Sequence, residues 1–217
     1  MKLKCLTADH KGSYSGFDFT PYLPKGSRPG KWLPKVKELE ICRSGWHGCD
    51  DADIIEYLQD EMYEVETRGN VIRDSDKWAA TQMRLVRKCE GWNEKTARLF
   101  AYDCAERSLR FFEEKYPGDK RPRMSIETAR RFAEGKATRK EMAAAGAAAR
   151  DAAWDAARAA ARVAARAAAR AAAGAAAWAA ARDAAWAAVG DASWDAAWDA
   201  AWDAERKWQW TRLKKLL

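Results

Sequence analysis

The segment Cys42–Arg43–Ser44–Gly45–Trp46–His47–Gly48–Cys49 puts two thiols and an imidazole within eight residues. Both groups are zinc ligands, and an imidazole beside a thiol can also lower its pKa and make it a nucleophile. A structural zinc site needs a fourth ligand. The only other histidine is His10, and Cys5, Cys89 and Cys104 lack paired Cys-x-x-Cys spacing. The expectation is a packed strand-turn with buried thiols, no metal, no cofactor and no catalytic residue, with Cys42, His47 and Cys49 kept as secondary ligand candidates. Just downstream, Asp50, Asp51, Asp53, Glu56, Asp60, Glu61, Glu64 and Glu66 form an acidic run. Paired carboxylates can do hydrolytic chemistry, but a run of this kind reads first as a solvated face. No phosphate loop, dinucleotide fingerprint, zinc-protease or serine-hydrolase motif accompanies it.

The second candidate surface lies in the tail, where four-residue periodicity runs unbroken from Arg150 to Arg206. One column is Arg, Trp or Gly, and includes Arg158, Arg162, Arg166, Arg170, Trp186, Trp194, Trp198 and Trp202, while the column from Ala152 to Ala204 is alanine throughout. Alanine is the strongest helix former, so the tail is predicted helical. A four-residue step overshoots a helical turn by about 40°, so the Arg/Trp stripe winds around the axis. The eight Arg and Trp residues just named are the leading candidates for binding a partner or ligand. Arginines dominate the first half, whereas Asp191, Asp195, Asp199 and Asp203 mark the second. Antiparallel pairing centred near residue 179 would bring Arg158 to Asp199 and Arg162 to Asp195. A two-fold dimer achieves this without a turn and is favoured over a hairpin bending near Gly174.

These groups must be carried by a body. Residues 2–7 and 36–42 alternate like strands, flanking a Gly/Pro/aromatic loop; DADIIEYLQ reads as a short helix; EMYEVETRG reads as a strand closed by a turn at Gly69–Asn70. KWAATQMRLVRK fits strand or helix and is assigned to strand. From Asn93 an amphipathic helix runs to Pro117–Gly118, Ser125 is read as the cap of a second helix ending at Gly135, and Thr138–Arg139–Lys140–Glu141 is a capping box for the tail. A straight helix over 139–210 would be about 105 Å long. The tail must therefore protrude, bend or break. The predicted fold class is α+β, a small sheet with packed helices followed by a long Ala-rich helical tail in extended antiparallel pairing or as a hairpin. The expected divisions are a small α+β domain at 1–90, a helical connector packed on it at 91–137, and the tetrad-repeat region at 138–217.

The 217 residues carry a net charge of +7, with 33% charged side chains of both signs interspersed. That diffuse excess argues against nucleic acid as a partner. No apolar stretch approaches the roughly 18 residues of a membrane span, and five cysteines suit a reducing compartment, so a cytoplasmic, non-membrane protein is expected.

Two stretches carry a resemblance. SGFDFTPYLPKGSRPGKWLP, LEICRSGWHGCD, YEVETRG and DKWAATQMRLVRKCEGWNEKTARLFAYDCAERSL resemble an uncharacterised small domain of phage and mobile elements, marked by a Cys-x-x-Gly-aromatic-His-x-Cys strand. ARLFAYDCAERSLRFFEEKYPGDKRPRMSIETARRFAEGKATRKE, with the tail after it, is similar to alanine-rich immunity proteins associated with bacterial toxin systems. The resemblance implies a non-enzymatic binding protein that neutralises a toxin or a component of antiviral defence, and the opposed charge blocks of the tail add the expectation that it assembles with itself as an antiparallel dimer or higher oligomer. The alternatives are sequestration of a nucleotide signal at an oligomer interface and a nucleotide-processing enzyme built around His47 and the acidic run.

Overall fold

The computed structural model describes residues 1–155, 179, 181–184, 186 and 195–217. The chain is α+β and divides into two compact units, residues 1–93 with Leu217, and residues 94–216.

In the first unit, β1 (Lys2–Leu6), β2 (Trp46–Asp50), β3 (Glu61–Arg73) and β4 (Trp78–Lys88) pair antiparallel in the order β1–β2–β4–β3 and close into a barrel. KWAATQMRLVRK is therefore strand. Period-two alternation sends Val65, Met83 and Leu85 inward, where they join Leu6, Phe19, Leu33, Tyr63, Trp78 and Ala80 in the core. Gly48 lets the sheet close on Trp78, because a Cβ there would stand 2.5 Å from the indole ring and 2.7 Å from the Leu3 carbonyl oxygen.

Two local expectations are corrected, and the short helix read at DADIIEYLQ is present. Gly69–Asn70 does not end a strand: β3 passes through them with a register shift between Arg68 and Val71, and Gly69 takes φ 81°. The turn comes later, where Asp74 N–H donates to the Lys77 carbonyl. DADIIEYLQ forms a 3₁₀ helix at Asp51–Tyr57 that buries Ile54 and Ile55. Residues 36–42 form no strand, because residues 30–36 lie along β4 through Gly30, Leu33 and Val36 N–H to the carbonyls of Leu85, Met83 and Thr81, and the chain then turns at Glu40–Ser44. The aromatic loop is tied down by Phe17 packed edge-on to Trp46, and by the Trp46 indole N–H donating to the Pro34 carbonyl.

In the second unit, α1 (Glu94–Glu113) buries Phe100, Ala101, Cys104, Ala105, Ser108, Leu109 and Phe112 at helical spacing. The next helix, α2 (Arg121–Ala133), packs on α1 and on α3 (Arg139–Asp155). It begins four residues before Ser125, which is buried inside it; Asp119 accepts from the Arg121 N–H instead, and Pro122 occupies the first turn. At its end Gly135 takes φ 74°, with Gly135 N–H on the Phe132 carbonyl and Lys136 N–H on the Arg131 carbonyl. The capping box opens α3: Thr138 Oγ1 accepts from the Glu141 N–H at 3.2 Å while the Glu141 carboxylate accepts from the Thr138 N–H at 2.7 Å. Last comes α4 (Asp195–Lys214), beside α1.

Alanine shapes this unit. Ala149 and Ala152 on α3 are buried, as are Ala179, Ala181 and Ala184. Gln209 on α4 donates to the Ala181 carbonyl, and the ring of Trp202 meets that of Trp186. Those two contacts set the direction from Ala181 to Trp186 antiparallel to that from Trp202 to Gln209. The sequence pairing of Arg158 with Asp199 and of Arg162 with Asp195, and a bend at Gly174, fall outside the described residues.

Candidate functional site

On α4, Glu205, Gln209 and Leu213 recur every four residues and form the buried stripe, at 4%, 0% and 0% exposure. A four-residue spacing that winds over a long helix still holds one face over two turns. The buried Glu205 carboxylate accepts from Arg107 of α1 at 2.6 Å, and Gln209 bonds to both Glu205 and the Ala181 carbonyl. One turn along, Arg212 donates to Asp103 of α1 at 2.5 Å. Burial raises the Asp103 pKa and outweighs the lowering by that guanidinium. These pairs fix the rotation of α4.

That rotation brings two of the candidate aromatics together. The rings of Trp186 and Trp202 meet edge-to-face with centroids 5.9 Å apart, and the Arg206 guanidinium lies 5.1 Å over Trp202. Trp186 remains 48% exposed, although a tryptophan carries more apolar surface than any other residue. Arg206 also bonds to Gln209. Of the other candidates, Arg158, Arg162, Arg166, Arg170 and Trp194 lie outside the described residues, and Trp198 lies on α4 with its side chain outside them.

In the barrel unit, Cys42 is exposed with φ 67°, and its N–H donates to His47 Nε2 at 3.0 Å. Burial and the neighbouring Lys4 charge lower the His47 pKa, so the ring is a neutral acceptor at pH 7 that holds the turn. Cys49 is buried, and desolvation raises its thiol far above the ordinary value. No thiolate–imidazolium pair forms between them. Among the described residues, no group of three or more His, Cys, Asp or Glu side chains is placed to hold a metal ion.

The structure gathers one constellation that spacing does not reveal. Glu61, 8% exposed, takes Lys88 Nζ at 2.5 Å, His10 Nδ1 at 2.7 Å and the Tyr63 hydroxyl at 2.9 Å. Burial alone would raise its carboxyl pKa; these donors outweigh it and hold the pKa below the usual value. The cluster pins the 7–11 turn to β3 and β4. Only Glu61 and Tyr63 share a strand face in sequence, and His10 and Lys88 arrive through the fold. Lys4 is its opposite, a half-buried amine with no ion pair among the described residues, 5.9 Å over the Phe19 ring. Burial lowers its pKa.

No helix among the described residues is long and apolar enough to cross a membrane. No curated protein and no solved structure matches the chain. A family model described as Imm-5 like putative immunity protein matches residues 87–216. The match begins at the end of β4 and takes in α1 to α4 and the Trp186–Trp202–Arg206 cluster that α4 positions. With more than half its length inside that match, the chain belongs to the Imm-5 like immunity protein family.

Proposed function

We propose that the chain is a non-enzymatic immunity-type protein that captures and neutralises a bacterial toxin, with the Trp186–Trp202–Arg206 cluster at the centre of the capture surface. The family match carries this reading, because it coincides with the helical unit on which that cluster sits. Tryptophan and arginine dominate the energetics of protein interfaces, since each buries a large rigid surface and still offers a directional contact. Here Trp202 and Arg206 are already ordered against one another, which lowers the entropy lost on binding.

The wider reading keeps a component of antiviral defence as the alternative target, in line with the resemblance of the N-terminal half to a mobile-element domain, and places the protein in the cytoplasm. It also retains antiparallel self-association through the Arg and Asp blocks of the tail. Light scattering of the full chain tests that part, and a monomer at micromolar concentration removes it.

Capture is tested by co-expressing the chain with toxins encoded beside its gene. Trp186→Ala is expected to abolish protection of the host cell with only a small fall in melting temperature, because a ring that is 48% exposed contributes less to folding than a core tryptophan. Full protection by this variant would move the capture surface elsewhere on the helical unit.

A further inference from the structure

The barrel unit lies almost wholly outside the family match, and its charge is distributed in a way that composition conceals. Residues 1–93 hold fifteen basic and fifteen acidic side chains, yet residues 25–37, KGSRPGKWLPKVK, hold five of the basic ones and no acid. Lys25, Arg28, Lys31, Lys35 and Lys37 are all exposed, and none has an ion pair among the described residues. Lys25 and Arg28 exchange both backbone hydrogen bonds, at 3.0 and 3.1 Å, across the two-residue turn Gly26–Ser27. They are like charges set directly opposite each other, an arrangement that destabilises a hairpin unless an anion sits between or above them.

The segment is also fixed in place. Its hydrogen bonds to β4 and the fully buried Leu33 set which side chains point out, and Gly30 sits so close to the Tyr22 carbonyl that a Cβ would be 1.9 Å from its oxygen. Trp32 rides on this segment with the guanidiniums of Arg68 and Arg84 each 4.8 Å from its ring. Along the β3–β4 ladder Arg87 meets Glu64 and Arg84 meets Glu66, whereas Arg68 meets the neutral side-chain carbonyl of Gln82. Two guanidiniums therefore share one ring with one carboxylate between them.

We propose that this face of the barrel binds single-stranded nucleic acid, with Lys25, Arg28, Lys31, Lys35, Lys37 and Arg68 on the phosphates and Trp32 against a base. Lys31 to Lys37 spans about 20 Å of extended chain, which suits a ligand whose charge repeats along its length. A planar ring among guanidiniums suits the π-face of an unstacked base. Leu33, the segment's large aliphatic side chain, is buried in the barrel, so the segment presents cations around a single ring rather than an apolar patch. This inference is independent of toxin capture and survives its failure.

The test uses the full chain and a fluorescein-labelled oligothymidylate of about 16 nucleotides, titrated by anisotropy between about 50 and 200 mM salt. The wild type is expected to bind, with affinity falling as salt rises. Replacing Lys31, Lys35 and Lys37 by Gln should reduce the slope of log K against log salt by about 2, at about 0.7 per phosphate contact, and Lys35→Gln alone by about 0.7. Trp32→Ala should weaken binding about tenfold. A charge-matched control replaces exposed Lys115, Lys140 and Lys207 by Gln and should leave the slope unchanged. Absence of binding at the low salt concentration, an equal loss of slope in the control, or competition by polyglutamate as strong as by unlabelled oligonucleotide would each overturn the proposal, the last in favour of an acidic protein.

Discussion

The two units solve the same problem with opposite materials. The barrel buries large side chains, among them Trp78 and Leu33 at 0% exposure and Phe19 at 2%, inside strands whose hydrogen bonds close on one another. Among the described residues, the helical unit buries bulky side chains on α1 and at Ile126, Met142 and Leu213, and adds buried alanines at 149, 152, 179, 181 and 184. A buried alanine removes little apolar surface, so such helices gain cohesion by close backbone approach and fix their orientation with polar contacts. Arg107–Glu205, Arg212–Asp103 and Gln209 with the Ala181 carbonyl are those contacts. The barrel should therefore be intolerant of lost volume, and the helical unit of added volume or lost charge.

The largest effect should come with alkaline pH. Burial raises the pKa of Cys5 to about 12 and of Cys89 to about 11, from 9.0, and raises Cys49 further. In the unfolded chain these thiols ionise from pH 9, while the folded barrel keeps them neutral. Barrel stability is thus fully present below pH 9 and falls as pH rises through the folded values, by up to about 1.4 kcal/mol per pH unit for each thiol. The helical unit has one such group, Cys104. Near-ultraviolet circular dichroism should lose the barrel's aromatic signal before the helical signal at 222 nm declines, and simultaneous loss would break the distinction.

Trp78→Ala should cost the barrel about 3–5 kcal/mol in denaturant unfolding, as removal of a core aromatic does. In the helical unit, Glu205→Ala should cost about 1–3 kcal/mol, since it removes a charged hydrogen-bond acceptor although Arg107 can regain water. Ala181→Leu should cost a comparable 1–3 kcal/mol or so by overpacking; the same substitution would be harmless if the alanine face were loosely packed. Thr138→Ala should cost about 1 kcal/mol through loss of the cap, read as a small drop in melting temperature.

Legibility in the sequence followed the range of the interactions. The capping box at Thr138–Glu141, the left-handed Gly135 and the strand at 78–88 depend on residues within one turn or on a strict two-residue period, and all are present. Ser125 failed as a cap because Asp119 and Pro122 offered a competing start one turn earlier. Residues 36–42 failed as a strand because the edge of β4 was already taken by residues 30–36. Alternation indicates that a segment can pair, and says nothing about whether an edge is free.

By itself, the sequence determined the α+β class, the helical character of the Ala-rich segments that the structure describes, and membership of an immunity family, because periodicity, capping and a family's residue pattern are all written along the chain. Only the tertiary structure decided that His10, Glu61, Tyr63 and Lys88 converge, that Trp186 meets Trp202, and that Arg68 and Arg84 share the ring of Trp32. Those groups come from separate strands, helices and loops. Their juxtaposition depends on barrel closure and on the rotation of α4 about its axis, which arise from packing the whole chain.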